Sequence, residues 1–227
     1  MCGRMSLFTP PSVLEGRFGV SVPESLSPRY NIAPREDVAV VRNDNRDTVE
    51  LLEWGLLPSW VDEPEGYSYP INARSETVAD KRTFSEAFRQ RRCLVLADGF
   101  YEWAETPGGK QPHRVQRTDG DPFAMAGLFE RWEGNDETRE TVTILTTEPN
   151  EVVEPLHHRM AVVLDEDEES TWLEDAGLTV HQDLLDPAPS AEWESYPVST
   201  RVNDPSNDDP TIVEEINPDE QTTFGDF

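Results

Sequence analysis

The sequence predicts an α+β fold: a single domain built on antiparallel, barrel-like β-sheet with short peripheral helices. Three observations carry this. Apolar runs of strand length, such as DVAVVR, CLVLA and TVTIL, outnumber helical patterns. Most of these runs follow one another directly, without the helical crossovers that a parallel βαβ sheet requires. A chain of 227 residues is also long enough to bury a core without disulfide staples.

Taken in order, PSVLEGRF (11–18) reads as a short helix and SPRYNIAPRED as a proline-punctuated loop. DVAVVR and TVELLEW read as strands joined by a turn at DNRD. GLLPSWVDEPEGYSYP is a long irregular stretch, and its two Trp together with Tyr67 and Tyr69 favour an ordered loop. ADKRTFSEAFRQRR reads as a helix with Phe84 and Phe88 on one face. RCLVLADGFYEWAE reads as strand, turn, strand, and HRVQR, PFAMAGLFERW and ETVTILTTE add three more strands. TEPNEVVEPLHHRMAVVL reads as a short helix, a loop and a strand. EESTWLED and HQDLL suggest short helices, and EWESYPVST a last strand. These place the domain over residues 1–202. Residues 203–227 are expected to form an acidic, loosely ordered C-terminal tail.

The net charge is -27, from 19 basic and 46 acidic residues. Self-repulsion of that size destabilises a compact state unless salt screens it, which points to a halophilic, high-salt cytoplasm. The aromatic content, six Trp, nine Phe and five Tyr in patterned runs, argues against acidic disorder. Residues 151–227 hold only Arg159 and Arg201 as bases, so a basic surface is expected in the first two thirds of the chain. No apolar run approaches the ~20 residues of a membrane span, and no secretory leader precedes Cys2. The expected location is the cytoplasm. Two cysteines form no disulfide framework, and Cys93, inside CLVLA, reads as a small buried apolar residue. Four His and two Cys lie in no zinc-ligand spacing, so neither a metal nor another cofactor is expected.

Four places can carry chemistry. Cys2 follows Met1; with Met1 removed it would carry an α-amine, of ordinary pKa about 7.7–8.0, beside a thiol near about 8.5. Such a 1,2-aminothiol condenses with an aldehyde to an imine and closes to a thiazolidine. In INARSETV, Asn72 and Arg74 sit two apart and share a face if the segment is extended. In ADGFYEW, alternation separates Tyr101 and Trp103 from Phe100 and Glu102. A carboxyl on the latter face is either solvated or, in a pocket, raised in pKa and suited to acid–base work. In LHHRMAVVL, a histidine before a buried strand is either structural or a proton shuttle.

Together these segments resemble the SOS response-associated peptidase (SRAP) family, whose members sense and shield abasic sites in single-stranded DNA. The resemblance runs through MCGR at 1–4, YNIAPRE at 30–36, WGLLPSW at 54–60, INARSET at 71–77, RCLVLADGFYEW at 92–103, FAMAGLFERW at 123–132, ILTTEPN at 144–150 and HHRMAVVL at 157–164. It covers roughly residues 1–200. Ala161 departs from the proline that usually follows H-x-R-M in the family.

The resemblance implies a DNA-damage enzyme that captures the abasic aldehyde through Cys2 as a thiazolidine crosslink. Met1 would be removed by self-processing, hence the peptidase label and a possible lyase activity. Asn72 would orient the Cys2 end and the sugar, Glu102 would shuttle protons, and His157 would assist ring opening and reversal. Arg4, Arg74 and Arg159 would contact phosphates, and Trp60 and Trp103 would offer stacking surfaces. The expected partner is single-stranded DNA containing abasic sites, met by a monomer. Two alternatives stay open: a thiol peptidase acting on protein substrates through Cys2, Asn72 and His157, and a non-catalytic reader of modified bases.

Overall fold

The architecture comes from a computed structural model that describes residues 3–134 and 137–218. Its elements are β1 (Met5–Leu7), α1 (Pro11–Phe18), β2 (Arg29–Ile32), β3 (Asp37–Arg42), β4 (Asn45–Trp54), β5 (Asn72–Arg74), α2 (Ser85–Gln90), β6 (Arg92–Ala97), β7 (Gly99–Thr106), β8 (Gly109–Arg117), β9 (Phe123–Gly134), β10 (Glu137–Thr147), β11 (Met160–Ala161), β12 (Val163–Leu164), α3 (Glu166–Leu173), α4 (Leu178–Asp183) and β13 (Trp193–Pro197). Among the described residues no helix is long and apolar enough to cross a membrane.

Five strands close on themselves in the order β10–β4–β3–β6–β9 and back to β10. Every contact in this ring is antiparallel except β4–β10, which is parallel and closes the barrel. Closure removes the edges that an open sheet would expose. Val38, Val40, Leu52, Val95, Met125, Leu128, Val142 and Ile144 are buried in the core. β6 is buried at every position because both of its faces are covered. On one side α3 lies over it, and the Trp172 indole N–H donates to the Cys93 carbonyl at 3.0 Å. Burial pushes the Cys93 thiol well up, out of the range of a nucleophile. α3 starts at a capping box, with Glu168 N–H donating to the Asp165 carboxylate and Asp165 N–H to Glu168.

The second sheet is antiparallel throughout, in the order β13–β8–β7–β1–β2. One face turns to the barrel, where Phe100 meets Phe123 and Trp193 at 6.4 and 6.3 Å between ring centres. The opposite face carries Tyr101, which packs with Val198, Val202 and Ile212.

Four expectations are revised. The helix expected over 79–92 shrinks to α2, because residues 77–85 form successive turns in which Lys81 N–H donates to Thr77 and Ser85 N–H to Lys81. These turns bury Val78, Ala79 and Phe84 in the core. The short helix expected after Thr147 is a pair of turns instead. Pro155 lacks an N–H, and the Asn150 side chain takes the Val152 and Val153 N–H groups. SPRYNIAPRED contains a strand, β2, that pairs with β1. The strand expected at MAVVL divides, because Val162 N–H donates to Leu145 while its carbonyl accepts from Ala126. β11 therefore pairs with β10 and β12 with β9.

The acidic segment after residue 202 also differs from the loose tail expected on composition. The Asp208 carboxylate accepts the backbone N–H groups of Tyr30 and Asn31 and pairs with Arg29. The buried Asn31 amide donates to the carbonyls of Asp204 and Asn207 at 3.1 and 2.7 Å. Ile212 is fully buried. Here the acids serve as acceptors for backbone donors, so their number does not loosen the chain. Residues 219–227 of that expected tail lie outside the described residues.

Candidate active site

The second sheet aligns the N-terminal strand against Glu102. Met5 pairs with Phe100 and Ser6 with Gly99, and Tyr101 N–H donates to the Arg4 carbonyl at 3.0 Å. Continued by two residues, this register sets Gly3 across from Glu102. Cys2 lies outside the described residues and directly precedes Gly3 in the sequence.

The corner before β7 fixes that alignment. Asp98 accepts from Ser6 Oγ at 2.7 Å and from the N–H groups of Phe8 and Thr9. Arg114, 1 % exposed, donates to the Asp98 carbonyl at 2.8 Å and pairs with its carboxylate at 3.2 Å. Gly99 is required here: a Cβ on it would stand 2.5 Å from Arg114 Nη2.

Glu102 is 2 % exposed. It lies on the barrel-facing side of β7 with Phe100, the side that alternation assigns it. Burial pushes its carboxyl up to about 7, so protonated and ionised forms coexist near neutral pH.

A second corner comes from the end of β10. Asn72 pairs in parallel register with Ile144 and Arg74 with Thr146, on one side of that strand. On the other side Thr146 pairs with Ala161. This brings β5 and the His157–Arg159 stretch to neighbouring edges of one strand. Arg159, 8 % exposed, spans them: its fork holds Glu76 through both guanidinium ends and also donates to the Thr146 carbonyl. The Arg159 hydrogen bonds hold the Glu76 carboxyl below its usual range.

His157 is held at Nδ1 by the backbone of Arg159, 3.0 Å from its N–H and 3.2 Å from its carbonyl. Its ring stacks on His158 at 4.2 Å. Burial lowers its pKa, and the positive charges of His158 and Lys110 act in the same direction. Lys110 sits at the turn end of the β7–β8 hairpin, so that end of the hairpin lies within electrostatic reach of His157. Among the described residues, no group of three or more His, Cys, Asp or Glu side chains could hold a metal ion.

The DNA-contact candidates divide into two kinds. Arg74 is exposed, and Trp60 is 41 % exposed with the Arg82 guanidinium 4.4 Å above its ring. Trp60 in turn meets Tyr67 edge-on at 6.3 Å. The others are engaged within the protein. Arg4 donates to Asn31 Oδ1 at 2.7 Å and to the Val202 carbonyl, Trp103 Nε1 donates to Asn203 Oδ1 at 2.8 Å, and Arg159 is taken by Glu76. Sequence reasoning passed over Glu76, Asp98, Asn31 and His113. Only Glu76 carried a signal, as the acid two residues after Arg74. The other three act through cross-strand or long-range contacts.

A family model described as SOS response associated peptidase (SRAP) matches residues 1–205. The chain is 39 % identical over 225 residues to the abasic site processing protein YoqW of Bacillus subtilis, covering 94 % of this chain and 99 % of the relative. It is 33 % identical over 220 residues to the abasic site processing protein HMCES of Gallus gallus, covering 82 % and 66 %. A crystal structure of a protein from Bacteroides thetaiotaomicron superposes with a TM-score of 0.87 at 27 % identity, over 95 % of this chain and all of the other. Matching the family description over nearly the whole fold, and sharing more than a third of its residues with a full-length relative, the chain belongs to the SOS response associated peptidase family.

Proposed function

We propose that this protein processes abasic sites in single-stranded DNA, as a monomer, by covalent capture through Cys2 after self-removal of Met1. The observation that carries the reading is Glu102: a buried carboxyl raised to about 7, in a strand aligned with the residues that follow Cys2. The names of the relatives, abasic site processing proteins, support the same substrate.

In the proposed reaction the Cys2 amine adds to the C1′ aldehyde of the ring-opened sugar. The carbinolamine loses water to give an imine, and the thiol adds across the C=N bond to close the thiazolidine. One amine, one thiol and one aldehyde give one ring and one water. Protonated Glu102 donates to the departing hydroxyl, and its carboxylate accepts a proton from the ammonium. Asn72 orients the amine and the sugar. His157 assists ring opening and reversal by exchanging a proton with the sugar oxygen.

Arg74 makes the first phosphate contact, and Trp60 with Arg82 stacks on a base. Arg159 contributes by exchanging Glu76 for a phosphate oxygen. Arg4 and Trp103 act indirectly, bracing the face of the sheet opposite Glu102 through their bonds to Asn31, Val202 and Asn203. The test is intact mass with and without an abasic oligonucleotide. The wild type should lack Met1 and gain the mass of the oligonucleotide less one water, Cys2→Ala should form no adduct, and intact DNA should give none. A wild type that lacks Met1 yet forms no adduct at any salt concentration overturns the reading. Peptidolysis of other proteins that survives blocking of the Cys2 amine would favour a thiol peptidase instead.

A further inference from the structure

His113 stands directly opposite Glu102 in the β7–β8 pair. Opposed residues of an antiparallel pair share a face, with Cβ atoms about 4.5–5.5 Å apart. The next pair on that face, Phe100 and Val115, is fully buried toward the barrel, so Glu102 and His113 point into the same interior.

The row across the sheet reads Pro197, His113, Glu102 and, by continuation, Gly3. The two outer residues bear no polar side chain. His113 and Glu102 therefore form the row's only polar side-chain pair. The His113 Nδ1 is buried and makes no hydrogen bond among the described residues. A buried ring nitrogen without a partner costs free energy, and a neighbouring carboxyl offers one.

The positive charge of the N-terminal amine acts on Glu102 and opposes the effect of burial. Arg114 and Tyr196 belong to the opposite face, and Lys110 and Glu105 pair with each other at the hairpin end. His157, in the loop before β11, feels Lys110.

We propose that His113 is a positioning residue for Glu102, its imidazole N–H holding the ionised carboxylate in the orientation from which it exchanges protons with the reacting amine. The proposal rests on the function proposed above for Glu102. Burial pushes the His113 pKa down, so the ring stays neutral while Glu102 titrates and serves as a donor that does not compete for the proton. The contact closes by side-chain rotation, as catalytic hydrogen bonds often tighten only with substrate bound.

The test uses the full chain as wild type, His113→Phe and His113→Gln. Glu102 is followed by carboxyl carbon NMR on glutamate-labelled protein, together with the pH profile of adduct formation. His113→Phe should raise the Glu102 pKa by about one unit and move the acidic limb of the rate profile with it. His113→Gln, which keeps a donor, should bring both back toward wild type and also guards against a Phe variant that folds poorly. Titration and profile unchanged in both variants would overturn the proposal. A Glu102 shift without adduct formation in the wild type would uphold the pair and count against the proposed reaction.

Discussion

Glu102→Gln removes a titratable group from a buried position while keeping its shape, so it separates what Glu102 does for folding from what it does for chemistry. Burial raises the carboxyl from 4.5 to about 7 in the folded protein. A folded pKa above the unfolded one means that the folded state binds the proton more tightly. The stabilisation is complete below the unfolded value and is lost as pH rises through the folded value. Above about pH 7 the buried carboxylate costs roughly 3 kcal/mol relative to a neutral side chain. Gln carries no such cost.

The stability advantage of Glu102→Gln should therefore grow by about 2 kcal/mol between about pH 5.5 and about pH 8.5. For a chain of this length that is roughly 4–8 °C in melting temperature. Urea unfolding at fixed ionic strength across that window reads the difference directly. The same variant should form adduct far more slowly, because an amide neither donates nor accepts the proton that the carboxyl moves. A variant gaining stability while losing rate marks a residue retained for function. An advantage that is flat with pH, or a Gln variant less stable throughout, would refute the reasoning about the carboxyl's environment.

Two further outcomes follow from packing and charge. Gly99→Ala should destabilise by about 1–3 kcal/mol, because its Cβ would press on the Arg114 guanidinium, which is buried and bonded to Asp98. Thermal unfolding checks this, and a melting temperature equal to wild type would refute it. With 46 acids against 19 bases, raising sodium chloride from about 0.1 M to about 1 M shortens the screening length from about 10 to about 3 Å. The melting temperature should rise across that range, and a flat or falling curve would remove self-repulsion as a controlling term and the high-salt reading with it.

Much of the fold was legible because its strands are short, apolar and consecutive. The period-2 alternation in GFYEW was enough to put Glu102 on the face of Phe100 and away from Tyr101. Its burial then depended on what that face meets, which the strand alone does not encode. His113 was invisible for a related reason. Its place opposite Glu102 is set by the turn at residues 107–108, and a one-residue change in that turn would have sent it to the other face. The parallel contact of β4 with β10 joins residues far apart in sequence and leaves no local signature. Asp208 misled by composition, since an acid in an acidic segment reads as solvated, and here two backbone N–H groups fix it. The resemblance supplied Asn72, His157 and the arginines, but not their partners. Arg4 and Arg159 look like free cations in the sequence, whereas the fold spends their hydrogen bonds on Asn31, Val202, Glu76 and Thr146.

The distribution of charge around these corners bears on how so acidic a protein would meet a polyanion. An open depression of about 830 Å³ beside His158 is lined by Glu148, Glu151, Glu154 and Asp186. Phosphates are repelled from that side at any distance shorter than the screening length. From Asn72 the chain runs parallel to β10 to exposed Arg74, then through the turns of 77–85, which bury Val78, Ala79 and Phe84, to exposed Arg82 above Trp60. Exposed Arg74, Arg82 and Trp60 thus belong to one segment of the chain, which also exposes Asp62, Glu63, Glu65 and Asp80. Under the proposed function the strand would approach from the Trp60 side with its lesion turned toward Glu102. Long-range attraction would contribute little, and local contacts would hold the strand long enough for a bond to form. Covalent capture suits that arrangement, because it asks for residence at one lesion and not for tight equilibrium binding to DNA in general.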